Sequence, residues 1–291
     1  MLLDFSSDFR RLIFTPKWLP TPRNIQTAMA IRRLNKIVFR MIAERRASGR
    51  DAGDLLSMLL AARDEDGSRM DNKQLRDETL TLFLAGYETT ANLLAWTWWL
   101  LATHPEVEHK LHQELDGLLA GRSPAMDDLP RLRYAGHILT ESLRLYPPAW
   151  GMARLAIEDH EIAGYPVPAG TGVAIAQWVV QRDPRWYEAP DEFRPERWEG
   201  DLQKKLPRFA YFPFGGGPRQ CIGNSFAMME AELLLAAIAQ KFRLRLVPDQ
   251  KVEPVASITL RPRHGIRMTL EQRQPARARV VPTRTQSAVA D

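Results

Sequence analysis

Cysteine is nearly absent: Cys221 is the only one among 291 residues. A single thiol closes no intramolecular disulfide, and a zinc knuckle or an iron–sulfur cluster would need further thiolates. Blocks of one charge are missing too. The net charge of +5 and pI near 9.5 arise from acids and bases that alternate along the helices, which argues for a solvated mixed surface and against a nucleic-acid partner. No internal repeat is visible. No secretory pattern opens the sequence, because Met1-Leu-Leu-Asp4 meets an acid before an apolar segment can form. The expectation is a cytoplasmic protein with a reduced thiol. Apolar side chains, by contrast, are plentiful. At 45% hydrophobic residues the chain can bury a large core, as one big domain or two closely packed lobes.

Leu80 to Ala102 is long and apolar enough to resemble a membrane span. Glu88 argues against that, since a carboxylate at the centre of a span costs roughly 2.5–3.5 kcal/mol on insertion scales. Gly86, Thr89, Thr90 and Asn92 add polarity beside it. No transmembrane segment is expected; a helix buried in a soluble core is.

The spacing predicts helices over the first half and a different texture afterwards. Apolar periodicity runs from Ile25 to Ala47 through Met29, Leu34, Ile37, Val38 and Met41, and a shorter helix covers Asp54 to Ala62. Asp71 followed by Gln74 is a capping-box signature opening a helix to about Thr103. Pro105 begins another, to Leu119, and Tyr134 to Leu145 is stopped by Pro147 and Pro148. Strand candidates follow at Ala153–Ile157, Glu161–Ala163 and Gly172–Ala176, with bends at Gly164-Tyr-Pro and Pro168-Ala-Gly170. After an irregular stretch from Asp183 to Gln220, a helix spans Asn224 to Phe242. Short strands are predicted near Phe242–Val247, Ile258–Arg261 and Ile266–Leu270, and Gln272 to Asp291 reads as a disordered tail. The fold class expected is mainly α with small β-sheets.

Cys221 ends the glycine-rich run Phe214-Gly-Gly-Gly-Pro-Arg-Gln-Cys221-Ile-Gly223 and stands before an apolar helix. Three readings are open: buried filler, nucleophile, or axial ligand of a cofactor metal. A P-loop would need Lys and Ser/Thr after its last glycine, and a dinucleotide fingerprint needs a preceding strand and other spacing. A nucleophile lacks support because the loop holds no histidine to act as base. A haem thiolate explains more. Glycines let backbone approach a flat macrocycle, the helix N-terminus stabilises a negative sulfur, and Arg219 can reach an acidic propionate.

Through Phe214, Gly217, Arg219, Cys221 and Gly223 the loop resembles, residue for residue, the haem-binding pattern F-x-x-G-x-R-x-C-x-G of the cytochrome P-450 family. Further resemblances occur in order. Ala85-Gly86-Tyr87-Glu88-Thr89-Thr90 is similar to the family's oxygen-binding helix, which implies catalytic roles for Thr89, orienting protons toward dioxygen, and Glu88, feeding that relay. Taken alone, a mid-helix hydroxyl only bonds back to the preceding turn. Glu141 and Arg144 share a helix face, by themselves a surface pair worth about 0.3–0.5 kcal/mol. With Arg197, in Phe193-Arg-Pro-Glu-Arg197-Trp198, they resemble the family's buried structural triad, a role suited to arginine's fork. Arg154 matches the arginine that contacts a haem propionate.

The resemblance implies haem b with Cys221 as axial thiolate, and cofactor contacts from Arg219, Phe214, Gly215, Gly217, Gly223, Arg154 and Ala85. It implies a monooxygenase inserting one oxygen atom of O2 into a lipophilic small-molecule substrate, because a thiolate ligand favours O–O cleavage. Substrate contacts would come from Ala85, Ala149, Trp150 and Ile258. Electrons would come from a separate donor, a ferredoxin, flavodoxin or flavin reductase, since no such module is visible in the chain. Lys204, Lys205 and Arg208 form either a docking patch for an acidic donor or ordinary surface charge. Glu108, His109 and His112 lack a His-Glu-x-x-His spacing and read as a solvated helix face. Tryptophans 96, 98 and 99 read as core.

The resemblance covers about Pro20 to Leu270, while family members extend further at the amino end. Residues 1–271 therefore read as a partial domain: helix-rich 24–145, small sheets and irregular chain 152–220, haem-ligand loop 212–223, following helix 224–242. A fragment, the C-terminal two thirds of the usual fold, is expected. The competing reading is a truncated, non-catalytic remnant with impaired haem binding; a peroxide-driven enzyme is a third, disfavoured by the presence of both Glu88 and Thr89.

Overall fold

The computed structural model describes residues 16, 18–200 and 202–273. The chain divides into two compact units with the boundary between Thr89 and Thr90. That boundary falls inside one long helix.

In the first unit, helix α1 (Pro22–Ser48) starts where Thr21 accepts a hydrogen bond from the Asn24 N–H (3.1 Å) and ends at Gly49, whose φ of 60° is the left-handed conformation glycine adopts cheaply. Helix α2 (Leu55–Ala61) is capped by Asp54, whose carboxylate accepts from Ser57 N (3.0 Å) and also pairs with Arg45. Helix α3 (Asn72–Thr103) opens on the expected cap, with Gln74 N donating to Asp71 at 2.7 Å. Val38, Ile42, Leu56 and Leu75 form the small core, joined by Leu59, Leu60, Met70 and Leu80. Of the apolar series predicted along α1, only Val38 is buried; Ile25, Met29, Ile37 and Met41 are exposed.

The second unit begins with the remainder of α3 and continues through α4 (Pro105–Leu119), a 3-10 turn (Met126–Arg131) and α5 (Arg133–Leu145). Four short strands follow, β1 (Met152–Leu155), β2 (His160–Ile162), β3 (Tyr165–Val167) and β4 (Gly172–Ile175). Then come α6 (Gln177–Val180), a 3-10 turn (Pro195–Trp198), α7 (Leu202–Lys205), a 3-10 turn (Gly217–Arg219) and α8 (Asn224–Lys241). Strands β5 (Phe242–Leu246), β6 (Pro254–Ala256), β7 (Leu260–Pro262) and β8 (Met268–Gln272) complete the described chain. Among the described residues these strands pair in antiparallel twos: β1 with β4, β2 with β3, β5 with β8, β6 with β7. The core is helical. Leu93 and Leu101 of α3, Leu111 and Leu115 of α4, Ile138 and Leu139 of α5, and Leu235 and Ala239 of α8 lie in one buried cluster, giving the mainly α architecture with small sheets.

The structure departs from the sequence reading at identifiable places. The bend expected at Gly164-Tyr-Pro is instead strand β3; the turn is made by Ala163 and Gly164, both at positive φ (50° and 84°), and Pro166 sits where no ladder donor is required. Ile258 lies in the turn before β7 rather than in a strand, and β6 was not foreseen. Gln272, placed in the tail, pairs with Phe242 at the end of β8, and Arg273 donates to Asp116 (2.9 Å); the rest of that tail lies outside the described residues. Leu80–Ala102 is not buried throughout. Phe83, Leu84 and Tyr87 are exposed, whereas Leu93, Trp96, Trp98, Leu100 and Leu101 are buried. No helix among the described residues is long and apolar enough to cross a membrane.

Glu108 and His112 are also corrected: they are buried, not solvated. Glu108 is held by Arg245 at 3.1 Å. Burial, together with the charges of Arg273 and Arg243, pushes the His112 imidazole down to about 3, so it stays neutral. Both face the strands that return to cover α4, and long-range pairing of this kind has no local signal.

Candidate functional site

Glu141 and Arg144 stand on one face of α5 and are completely inaccessible to solvent. Arg144 donates from Nε (2.9 Å) and Nη2 (2.9 Å) to the two oxygens of Glu141, and Arg197 Nε adds a third bond at 2.8 Å. Trp198 Nε1 (2.8 Å) and the Arg194 N–H (3.1 Å) complete the shell around that carboxylate. The remaining guanidinium protons are taken by backbone carbonyls: Arg144 Nη1 donates to Gln181 and Pro190, and Arg197 Nη1 to Glu188. A surface ion pair is thereby ruled out. Charges removed from water this fully are tolerated only with every donor and acceptor matched.

Gln181 joins this network to the cysteine loop. Its amide donates to the Leu143 and Arg144 carbonyls (3.0 and 3.2 Å) and its oxygen accepts from the Phe212 N–H (3.0 Å). Tyr211 next to it donates to the Thr140 carbonyl at 3.1 Å. Neither residue was singled out from sequence. Gln181 follows the apolar run Trp178-Val-Val, where nothing local marks it; Trp198, also fastened here, lay within the quoted Arg197 motif.

The loop between is drawn into a tight curve. Gly215 N donates to Phe212 O (2.9 Å), Gln220 N to Gly217 O (3.0 Å) and Cys221 N to Phe214 O (2.9 Å). Gly215 and Gly217 have φ of 72° and 71°, where a side chain would be strained. Gly216 is constrained by space: a Cβ there would stand 2.3 Å from the Phe209 ring. Gly223 precedes α8, whose Ala227 N–H it accepts at 2.8 Å. The outcome is a Cys221 thiol that is exposed, close to the N-terminus of an 18-residue helix. Buried filler is thus excluded. Ile222 beside it is 92% exposed and Phe226, one turn on, 59%.

Arg219 is exposed, and Phe214 is half-buried against the helical core. Arg154, on β1, is also exposed and donates to the Ala153 carbonyl at 2.9 Å. A Cβ on Gly215 would approach the Met152 methyl to 3.2 Å, so the strand bearing Arg154 borders the loop. Ala149 is exposed; Trp150 is half-buried and donates to Ser257 O (2.8 Å), beside Ile258, which is 50% exposed.

Ala85, Glu88 and Thr89 belong to the first unit, so their geometry is described separately. Thr89 donates to the Ala85 carbonyl at 2.6 Å. Thr79 and Thr97 make the same bond to the preceding turn of this helix, so it does not by itself set Thr89 apart.

The second unit's donor set fits a haem. An exposed soft sulfur, exposed apolar side chains for a flat macrocycle, glycines that admit it closely and two exposed arginines for its carboxylates are the chemistry such a group requires.

The chain belongs to the cytochrome P-450 family, whose model matches residues 1–269. It is similar to the cyclooctatin synthase of Streptomyces melanosporofaciens, 43% identical over 244 residues that make up 83% of this chain and 53% of that protein. Similarity to the pentalenene oxygenase of Streptomyces avermitilis is 40% over 268 residues, 91% of this chain and 60% of that one. Among solved structures, the heme domain of cytochrome P-450DA superposes with a TM-score of 0.82 at 36% identity, covering 91% of this chain and 58% of that one. The chain spans about half the length of the curated relatives it matches. Membership implies, in general terms, haem iron with a cysteine thiolate ligand.

Proposed function

We propose that the chain is the haem-binding portion of a haem-thiolate monooxygenase that acts on a lipophilic small molecule. The observation that carries this reading is the exposed Cys221 thiol, fixed by its own N–H to Phe214 O at 2.9 Å and presented beside exposed Ile222 and Phe226. A thiol with no hydrogen-bond partner among the described residues, on a backbone held by its own N–H, is arranged for a ligand brought from outside.

Cys221 would supply a thiolate ligand to the haem iron, and Arg219 and Arg154 would hold the haem carboxylates. When bound, the haem supplies the activation of dioxygen that allows one oxygen atom to enter a C–H bond. Ile258, Trp150 and Ala149 give an apolar lining that excludes water and selects a lipophilic substrate. Thr89 holds a proton at its Oγ1, which it donates to the Ala85 carbonyl, and its lone pairs are left to accept another; Glu88, adjacent, resupplies it. Electrons come from a separate protein donor. Pentalenene oxygenase is named for the oxygenation of its own substrate; what carries over is the class of reaction, oxygen insertion.

The test is spectroscopic. The purified chain, loaded with haem and reduced under carbon monoxide, is expected to give the red-shifted Soret band of a thiolate complex, and Cys221→Ala to abolish it. Absence of the band from the unmodified chain would sink the proposal. Thr89→Ala is expected to retain the band and to uncouple reductant use from product; unchanged coupling removes Thr89 from the proton relay.

A further inference from the structure

The hairpin of β6 and β7 pairs only Pro254 with Pro262, Val255 with Arg261 and Ala256 with Leu260. Two of those six positions are prolines, which donate nothing to a ladder, and an isolated two-stranded hairpin is marginal at best in water. Something else must set where its turn stands. Four hydrogen bonds from two distant stretches of the second unit do so. Asn92 Nδ2 of α3 donates to Thr259 Oγ1 (3.2 Å), and Trp96 Nε1, one turn further along, to Leu260 O (3.0 Å). From the segment between α5 and β1, Trp150 Nε1 donates to Ser257 O (2.8 Å), while Pro148 O accepts the Leu260 N–H (2.8 Å). Both backbone polar groups of Leu260 are thus committed outside the hairpin. Within the turn, Ser257 N donates to Thr259 O at 3.2 Å, closing it tightly around the exposed Ile258.

We propose that Asn92, Trp96 and Trp150 are positioning residues that clamp the 257–259 turn, and that by fixing Ile258 they set which lipophilic shapes the site accepts. The inference rests on the proposed function for the role of Ile258, but the clamp itself stands on the hydrogen bonds alone. Its physical sense is that one apolar side chain on a short loop discriminates shapes only if the loop does not yield. Asn92 and Trp96 thereby share in specificity through the loop alone, while Trp150 both lines the site and holds the turn.

Two variants remove a donor while keeping a side chain of related shape: Trp150→Phe and Asn92→Leu. Trp96 is left intact because it is wholly buried in the core. By hydrogen–deuterium exchange, each variant is expected to speed exchange of the Ser257 and Leu260 amides about fivefold, the worth of one ordinary hydrogen bond, with α8 unchanged. Equal rates in variant and parent would overturn the clamp. The second arm uses 1-phenylimidazole and 4-phenylimidazole, titrated into the haem-loaded chain and followed by the Soret shift. Ile258→Ala is expected to change the ratio of their affinities at least fivefold, and Asn92→Leu to move it in the same direction, a readout that mere loss of stability leaves alone. A ratio altered in Ile258→Ala yet unaltered in Asn92→Leu overturns the selectivity claim. A ratio unaltered in Ile258→Ala overturns Ile258 as pocket wall, and with it the selectivity claim. A chain that takes up no haem sinks the proposed function and the selectivity with it, and the exchange arm still decides whether the clamp exists.

Discussion

The Glu141 carboxylate and the Cys221 thiol occupy the same compact unit, and the fold treats them in opposite ways. Glu141 is sealed from water, with three guanidinium N–H groups, an indole and a backbone amide directed at it. Cys221 is left open, its backbone fixed and its side chain exposed among apolar neighbours. The first is an arrangement in which every group finds its partner within the protein. The second holds position without satisfying the group it positions. Gln181 connects them, so that the rigidity of one is passed to the other. The contrast separates a charged group sealed within the scaffold from a thiol left open to solvent.

The comparison is broken most severely by Glu141→Ala. That change leaves Arg144 and Arg197 buried without a counter-charge, and removing one partner of a buried pair costs about 3–5 kcal/mol. Urea unfolding is expected to show a loss of that size, enough to leave little folded second unit. A loss under 1 kcal/mol would mean that the network is not the anchor described here. Gln181→Leu tests the link between the two regions. It leaves the buried Phe212 N–H without an acceptor, a cost of about 1–3 kcal/mol. Its distinguishing consequence is lower haem retention than a core substitution of equal destabilisation, measured by the rate of haem transfer to apomyoglobin.

How much of this was legible beforehand differs between the two regions for a physical reason. Helix boundaries came within a residue or two at Pro105–Leu119 and Arg133–Leu145, because proline and periodicity are local signals. The loop glycines and Arg197 were visible as a motif. Gln181, by contrast, acts through partners 31 to 38 residues away, and a polar residue after Trp178-Val-Val announces nothing. Glu108 and His112 were misread as solvated because the strands burying them return from residue 242 onward. Strand β3 was missed because its proline reads as a break until its edge position is known. The apolar run from Leu80 identified a helix but not which part of it is buried.

A smaller effect, in how the midpoint depends on pH, comes from Glu232 on α8. Its carboxyl packs against Gly136 of α5, 3.4 Å from where a Cβ would be, and burial, aided by the charge of Glu114, raises its pKa to about 7. An acid with a raised folded pKa favours the native state only while protonated. The stability it permits is present below the ordinary glutamate range and is lost as pH rises through about 7. The urea midpoint is therefore expected to fall between pH 5 and pH 8, and Glu232→Gln to flatten that slope. A parent slope unchanged in the variant would assign the effect to another group. Because α8 follows the cysteine loop directly, the same pH range is expected to loosen the platform on which Cys221 stands.

The smallest effect on stability is expected at the residue with the largest effect on function. Cys221 is exposed and its side chain makes no hydrogen bond that the scaffold depends on, while the bond to Phe214 O is made by its backbone N–H. Cys221→Ala keeps that N–H and removes only a surface sulfur, so the unfolding free energy of the haem-free chain, from urea titration, is expected to change by no more than about 0.5 kcal/mol. The same substitution is expected to eliminate the thiolate Soret band completely. A loss of more than about 2 kcal/mol would place Cys221 with Glu141 among the groups that hold the fold, and the distinction between a sealed scaffold and an open ligand position would collapse at the point where it matters most.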